Sequence, residues 1–272
     1  MKLIAAIRMK NEEWILHYLL SALSEFVDGI VIVDDGSTDD SIKIARSYSK
    51  VIDIHINKPS DENDIDEPRD WNKLTRLAKK NNADWILYTD ADEMVEPKIK
   101  DLIRGMLKCT DVDVYRFRKV SPWMGIERYR VDKPRYNHPA KNVLNPILVR
   151  STKKLRWTNG RGGWFKKIVK RVVRGDKLKP NYGRVFPRGV NKSVKDLDDL
   201  VSIHFNHVDF DRLLRKQVFY ALREKEVRPD KSRDELISWV AKGWSEQGAK
   251  FAKVNPEWIW KNYINKIKYN GR

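Results

Sequence analysis

Residues 84–93 read Asp-Trp-Ile-Leu-Tyr-Thr-Asp-Ala-Asp-Glu, an apolar run that stops at Thr89 and gives way to three acids. Trp85–Tyr88 predicts a short buried strand, and Asp90-Ala91-Asp92 falls where that strand ends. Working back towards the start, Leu3–Ala6 and Ile30–Val33 read as two further buried strands. Between them Trp14, Ile15, Tyr18, Leu19, Ala22, Leu23 and Phe26 recur at helical spacing. Strand, helix, strand is a βαβ unit, which implies parallel pairing and a right-handed crossover. In open parallel sheets ligands bind beyond the carboxyl ends of the strands. Asp34 and Asp35 also follow a strand, so four carboxylates gather along one sheet edge. Carboxylates that close repel one another and call for a cation, and hard cations such as Mg²⁺ or Mn²⁺ choose oxygen ligands and bridge readily to a diphosphate.

The remaining elements follow the same signals. Ser37 or Thr38 is placed to cap a helix over 41–48, Val51–Ile56 alternates as a strand, and Lys58–Pro68 reads as a polar, acidic loop. Trp71–Asn81 reads as a helix, as does the stretch from Pro97 to Leu107, and Val112–Phe117 as a strand. Ser121–Pro146, with four prolines and one glycine among aromatics, reads as a long functional loop. Ile147–Arg150 and Leu155–Thr158 are expected strands. Helices are expected over Trp164–Arg174, Phe210–Arg223 and Arg233–Phe251, and after the Asn255-Pro256-Glu257 cap through Trp260, Tyr263, Ile264 and Ile267. The expected fold class is α/β, a Rossmann-like, mostly parallel sheet flanked by helices, with a basic helical C-terminal part.

The chain has 272 residues, enough for one large domain, and a single cysteine, Cys109, which excludes an internal disulfide. No apolar run is long enough to cross a bilayer, and Leu3–Ile7 is too short for a signal-peptide core. A cytoplasmic location follows as the expectation, with the inner face of an anionic membrane as a surface the chain could meet. The net charge of +17 is uneven. Residues 1–110 hold 16 Lys/Arg and 21 Asp/Glu, whereas 116–195 hold 24 basic and only 3 acidic residues. Charge concentrated in this way points to a polyanionic partner. In 164–174 it sits on one face of the expected helix, with Trp164, Phe165, Ile168, Val169, Val172 and Val173 on the other.

Three separated segments resemble the family-two glycosyltransferases of the GT-A fold: IRMKNEEWILHYLLSAL, IVIVDDGSTDDS and DWILYTDADE. The resemblance spans about the first 118 residues; HFNHVDFDRLLRKQVFYA resembles the family's late segment. It implies a nucleotide-sugar-binding half over 1–118 and an acceptor-binding half over 119–272 within one continuous domain plus extension. Ala6 and Arg8 would line the base pocket, with Asn11 and Glu12 close behind. Asp35, with Asp34 beside it, would take the nucleobase or ribose; Asp90, next to Ala91, the ribose or a metal-bound water; and Asp92 the metal itself. His204 would be a further metal or diphosphate ligand, with His207 as its substitute, and Arg69, Asn72 or Arg76 would touch the donor.

The implied activity is metal-dependent, inverting transfer of a sugar from a nucleotide-sugar donor, with Mn²⁺ or Mg²⁺ as cofactor. The expected acceptor is polyanionic: a cell-envelope glycan such as a lipopolysaccharide or lipid-linked sugar, or, as the alternative, DNA carrying hydroxymethylated bases. The family's His-Glu pair after a tryptophan-bearing strand is missing from Trp157–Trp164, leaving Glu127 and Asp132 as base candidates. A catalytically inactive nucleic-acid-binding protein on the same fold is the reading from another class. A nucleotidyltransferase would carry a glycine-rich loop after the first strand, and Ala5-Ala6-Ile7-Arg8-Met9 has no glycine.

Overall fold

The computed structural model describes residues 1–57, 67–132, 147–159, 185–190, 192–227 and 229–261. The helix expected over Trp164–Arg174 lies outside them, as do most of the 58–68 loop and Tyr263, Ile264 and Ile267.

The βαβ opening forms as expected: β1 (Leu3–Met9), α1 (Glu13–Ser24) and β2 (Gly29–Asp34). It continues through α2 (Ser41–Arg46), β3 (Val51–Ile56), α3 (Glu67–Lys80) and β4 (Trp85–Asp90). β2 and β4 flank β1, and β3 flanks β2, all in parallel. Short β5 (Glu93–Val95), α4 (Ile99–Lys108) and β6 (Val112–Val120) follow. The second half then completes the same sheet with β8 (Ile147–Arg150) and the twelve-residue β11 (Ser193–His204). The strand order is β3-β2-β1-β4-β8-β6-β11-β5. β8 runs antiparallel to β4 and β6, β11 runs parallel to β6, and β5 runs antiparallel to β11. The chain therefore forms the α/β, mostly parallel sheet with flanking helices that its sequence leads one to expect.

The strands read as unbroken apolar runs because both sheet faces are covered. Leu3, Ala5 and Ile7 pack with α1 and α4 on one face, together with Ile30, Ile32, Trp85 and Leu87. Ile4, Ala6, Val31, Val33, Ile86 and Tyr88 pack on the other with Trp71, Leu74 and Ala78 of α3. This second layer is closed by β9 (Arg156–Asn159), which pairs with β10 (Val185–Arg188). Asn72 of α3 clips β9 in place, donating to the Trp157 carbonyl at 2.8 Å and accepting from the Trp157 N–H at 2.8 Å.

Several local expectations are corrected. Ser37 and Thr38 do not cap α2, whose N-cap is Asp40, because both are engaged in the turn after β2. The 121–146 stretch is not all loop: β7 (Arg128–Arg130) pairs with β12 (Phe251–Lys253). The helix from Arg233 stops at Trp244, and Phe251 belongs to β12. The Asn255 cap forms, accepting from the Glu257 N–H at 3.0 Å, but it opens a single 3-10 turn that ends at Trp258. Ile259 is extended, and Trp260 donates its indole N–H to the Val95 carbonyl at 2.8 Å, docking the segment onto β5.

Candidate active site

Everything that gathers at the carboxyl edge does so because β1, β2 and β4 run parallel and end together. Arg8 pairs in register with Val33 on one side and with Asp90 on the other. Past β2 the chain must turn sharply, and Asp34 is the turn's internal cap. It is 1% exposed and accepts the N–H groups of Gly36 and Ser37 and the Ser37 hydroxyl. Gly36 takes the positive φ of 77° that this turn requires. Asn11, also at positive φ, joins the β1 loop to the same turn, donating its N–H to Ser37 Oγ and accepting from the Thr38 N–H at 2.7 Å. With Asp34 turned inward, Asp35 is the carboxylate presented to the pocket edge, 3.1 Å from Asn57 Nδ2 and 3.5 Å from Arg69 Nη2.

At the end of β4, Asp90 Oδ1 accepts from Arg8 Nη2 at 3.2 Å, and the Arg8 guanidinium lies over the Trp71 ring. Asp92 is 4% exposed and sits between His204 and Lys216. His204 Nε2 is 3.3 Å from its Oδ1, and Lys216 Nζ is 3.3 Å from its Oδ2. The Phe205 N–H donates to the Asp92 carbonyl, fixing the end of β11 against this turn. Burial works against the Asp92 charge, but Lys216 and His204 more than offset it and hold the carboxyl well below its usual range. Burial likewise works against the Lys216 charge, yet Asp92 keeps the ammonium above its ordinary value. The other ring nitrogen of His204 faces Glu93 Oε1 at 3.6 Å, and Glu93 is paired with Lys119 of β6.

Glu12 closes the other wall. It accepts from the Trp14 indole N–H at 2.7 Å and pairs with Arg212, whose guanidinium stacks over the Trp14 ring at 4.3 Å. Burial and the nearby Asp92 push its carboxyl up to about 7, against the pull of Arg212 and Lys216. Arg212 and Lys216 both come from α5 (Phe210–Val227), one helical turn apart.

The donor set suits a divalent cation as far as it goes. Asp92 and His204 offer one oxygen and one nitrogen close together, and a carboxylate on the remaining ring nitrogen is the usual partner of a metal-bound histidine. Asp90 is directed to Arg8 instead. Among the described residues no group of three or more His, Cys, Asp or Glu is arranged to hold a metal. A cation here would take its other ligands from substrate and water, as Mg²⁺ commonly does with phosphates.

Other expected residues fall elsewhere. Ala6 has no exposed surface, so of the two β1 residues expected there only Arg8 has any contact with solvent. Ala91 is buried in the core beneath the turn. His207 is 8% exposed and stacks on Trp123. Arg69 reaches Asp35 and Asp70, but Asn72 serves β9 and Arg76 is exposed. Of the two base candidates, Glu127 is exposed on the segment leading into β7. Asp132 is gripped through both oxygens by Arg130, a hydrogen-bonded pair that holds its carboxyl below the ordinary value. Lys119, Arg212 and Lys216 were not singled out by sequence. The i, i+4 spacing of the last two after His204 was the available signal.

Residues 5–160 match the family model described as glycosyl transferase family 2, which covers more than half of the chain. An uncharacterized protein of Mycobacterium tuberculosis is 31% identical over 117 residues, 42% of this chain and 28% of that protein. An uncharacterized glycosyltransferase of Rickettsia typhi is 25% identical over 142 residues, 49% of this chain and 43% of that protein. The chain thus spans less than half the length of these curated relatives. Among solved structures it is similar to S. aureus TarS 1–349 in complex with UDP-GlcNAc, at 13% identity and a TM-score of 0.48 over 89% of this chain and 71% of that one. It is also similar to glucosyl-3-phosphoglycerate synthase from Mycobacterium tuberculosis in complex with Mn²⁺, UDP and glucosyl-3-phosphoglycerate. That likeness has 17% identity and a TM-score of 0.34 over 43% of this chain and 44% of that one. The family match runs from β1 to one residue past β9 and takes in Arg8, Asp35, Asp90 and Asp92, and on that extent the chain belongs to glycosyl transferase family 2.

Proposed function

We propose that this protein transfers a sugar from a nucleotide-sugar donor to an acceptor hydroxyl, with the donor seated on the carboxyl ends of β1, β2 and β4. The observation that carries the reading is the meeting of Asp92 with His204 at 3.3 Å, beside an edge that also presents Arg8, Asp35 and Asp90. Asp35 and Arg69 supply an acceptor and a donor at the β2 end, suited to a ribose or base. Arg8 sets the Asp90 carboxylate in place and is itself held over Trp71. Asp92 and His204 are the residues that would hold Mn²⁺ or Mg²⁺, which supplies stabilisation of the charge developing on the leaving diphosphate. Glu93, clamped by Lys119, aims the ring of His204. Inversion at the anomeric carbon is the outcome that the family resemblance leads us to expect.

The acceptor follows from charge. All but two of the 24 basic residues of 116–195 lie in the acceptor-side half and favour a polyanionic acceptor, of which an envelope glycan at an anionic membrane face is the reading we adopt. No helix among the described residues is long and apolar enough to cross a membrane. The test is a donor screen: the full chain with UDP-, GDP-, CMP- and dTDP-sugars and Mn²⁺ or Mg²⁺, reading released nucleotide and nucleotide binding. Release or binding with one donor, lost in Asp92→Asn, supports the reading. Neither release nor calorimetric binding with any donor overturns it. The anomeric configuration of the product, read by NMR, tests inversion.

A further inference from the structure

We propose that Arg212 and Lys216 of α5 form a two-point cationic clamp for the donor's diphosphate, held ready in the free protein by Glu12 and Asp92. The proposal rests on the donor-site reading above and assigns residues of a helix that lies beyond the family match. An i, i+4 pair projects from one helix face. Here the two side chains part to reach two loops of the donor half: Arg212 pairs with Glu12 after β1, and Lys216 with Asp92 after β4. Both cations keep contact with solvent, Arg212 24% and Lys216 31% exposed at the side chain, while their acid partners are nearly enclosed.

Two further observations point to a ligand. Arg212 Nε is buried and has no hydrogen-bond partner among the described residues, so the guanidinium has donor capacity left unused. Asp92 is shared between Lys216 and His204, so an arriving anion that draws Lys216 away leaves the Asp92–His204 pair together. A diphosphate diester carries two negative charges, matching the two cations, and guanidinium and ammonium groups bind phosphate oxygens by charge-assisted hydrogen bonds. Glu12 and Asp92 then act as parking sites, which lowers the ordering cost of the clamp because neither long side chain has to be immobilised from solution. Trp14 serves the same end by stacking on Arg212.

The experiment is calorimetry on the full chain with UDP, GDP, CDP and dTDP, followed by the monophosphate of whichever binds tightest, each with Mn²⁺ and with chelator. The wild type is expected to prefer diphosphate over monophosphate. Arg212→Met and Lys216→Met are each expected to weaken the diphosphate by about tenfold or more while moving the monophosphate by less than about twofold. Lys216→Arg should keep most of the preference. Because Lys216→Met leaves Asp92 unpaired and could disturb folding, the wild type is tested in parallel by amine acetylation and peptide mapping, where diphosphate should protect Lys216 and monophosphate should not. An unchanged diphosphate-to-monophosphate ratio in folded variants, or equal labelling of Lys216 with both nucleotides, overturns the clamp alone. A wild type that binds no nucleotide under either condition overturns the donor-site reading and the clamp with it.

Discussion

His204 Nε2 stands 3.3 Å from Asp92 Oδ1, a contact that joins the last residue of β11 to the turn after β4. Nothing local creates it. β11 reaches this point because it lies between β6 and β5, and β5 begins one residue after Asp92. The Phe205 N–H then closes on the Asp92 carbonyl. If the pair is the protein's share of a cation site, His204→Ala and Asp92→Asn should each weaken Mn²⁺-supported nucleotide binding by about a hundredfold, and binding in chelator should change far less. Manganese titration followed by calorimetry or electron paramagnetic resonance reads this, and equal losses with and without Mn²⁺ would count against it.

Neighbouring aspartates at the end of β2 have separable tasks. Asp34 spends its carboxylate on the 36–37 turn, whereas Asp35 faces Asn57 and Arg69 at the pocket edge. Asp34→Ala should cost about 2 kcal/mol or more of stability, since it strands several donors of a buried turn. Asp35→Asn should leave the melting temperature nearly unchanged and weaken nucleotide binding. Thermal melts and calorimetry on the two variants distinguish a turn residue from a ligand residue.

The donor edge was legible because its signals are local. Apolar runs ending in acids mark strand ends, and the βαβ order fixes which ends lie side by side. The charge balance of that edge was not legible. Sequence reasoning met Asp34, Asp35, Asp90 and Asp92 and inferred a missing cation; the chain itself brings Arg8 to Asp90 and Lys216 to Asp92 of that set, and Arg212 to Glu12 and Lys119 to Glu93 beside it. Three of these four cations come from β6 or α5, so the pairings are tertiary. β11 escaped notice for a related reason: Lys195, Asp196, Asp198 and Asp199 mask the strand, and only Leu200–Ile203 carries an apolar signal. Conversely, the helix expected through Phe251 ends at Trp244, where Ser245 turns extended, and Gly248 takes a φ of 70° before β12, breaks that periodicity alone does not reveal.

Glu93 is wholly enclosed, and its charge depends on Lys119, which is 13% exposed. Burial pushes the Glu93 carboxyl above its ordinary value, and Lys119 opposes the shift. Removing only the lysine leaves an uncompensated acid in the core, so Lys119→Met should destabilise the fold by about 3–5 kcal/mol. The double variant Lys119→Met/Glu93→Leu should recover much of that stability yet lose the aim of His204. Urea unfolding of the two proteins, set beside their Mn²⁺ affinities, separates the two consequences. A double variant with wild-type Mn²⁺ affinity would remove Glu93 from the positioning role.

Glu12 gives the fold a pH dependence of defined sign. Its carboxyl is pushed up to about 7 from an ordinary 4.5, chiefly by burial and then by Asp92. Below about pH 4.5 Glu12 is protonated in both the folded and unfolded chains and contributes no slope. Between about 4.5 and 7 the unfolded chain releases this proton while the folded chain retains it, so stability falls as pH rises through that window. The full difference is on the order of 3 kcal/mol at about 1.4 kcal/mol per pH unit, an upper figure because the side chain keeps some contact with solvent. Glu12→Gln lacks this titration. Its stability relative to wild type should therefore improve steadily from pH 4.5 to 7 and level off above, even though Arg212 loses an ionic partner. Denaturant melts of both proteins across that range provide the measurement, and parallel stability curves would show that Glu12 ionises in the folded protein as it does in the unfolded chain.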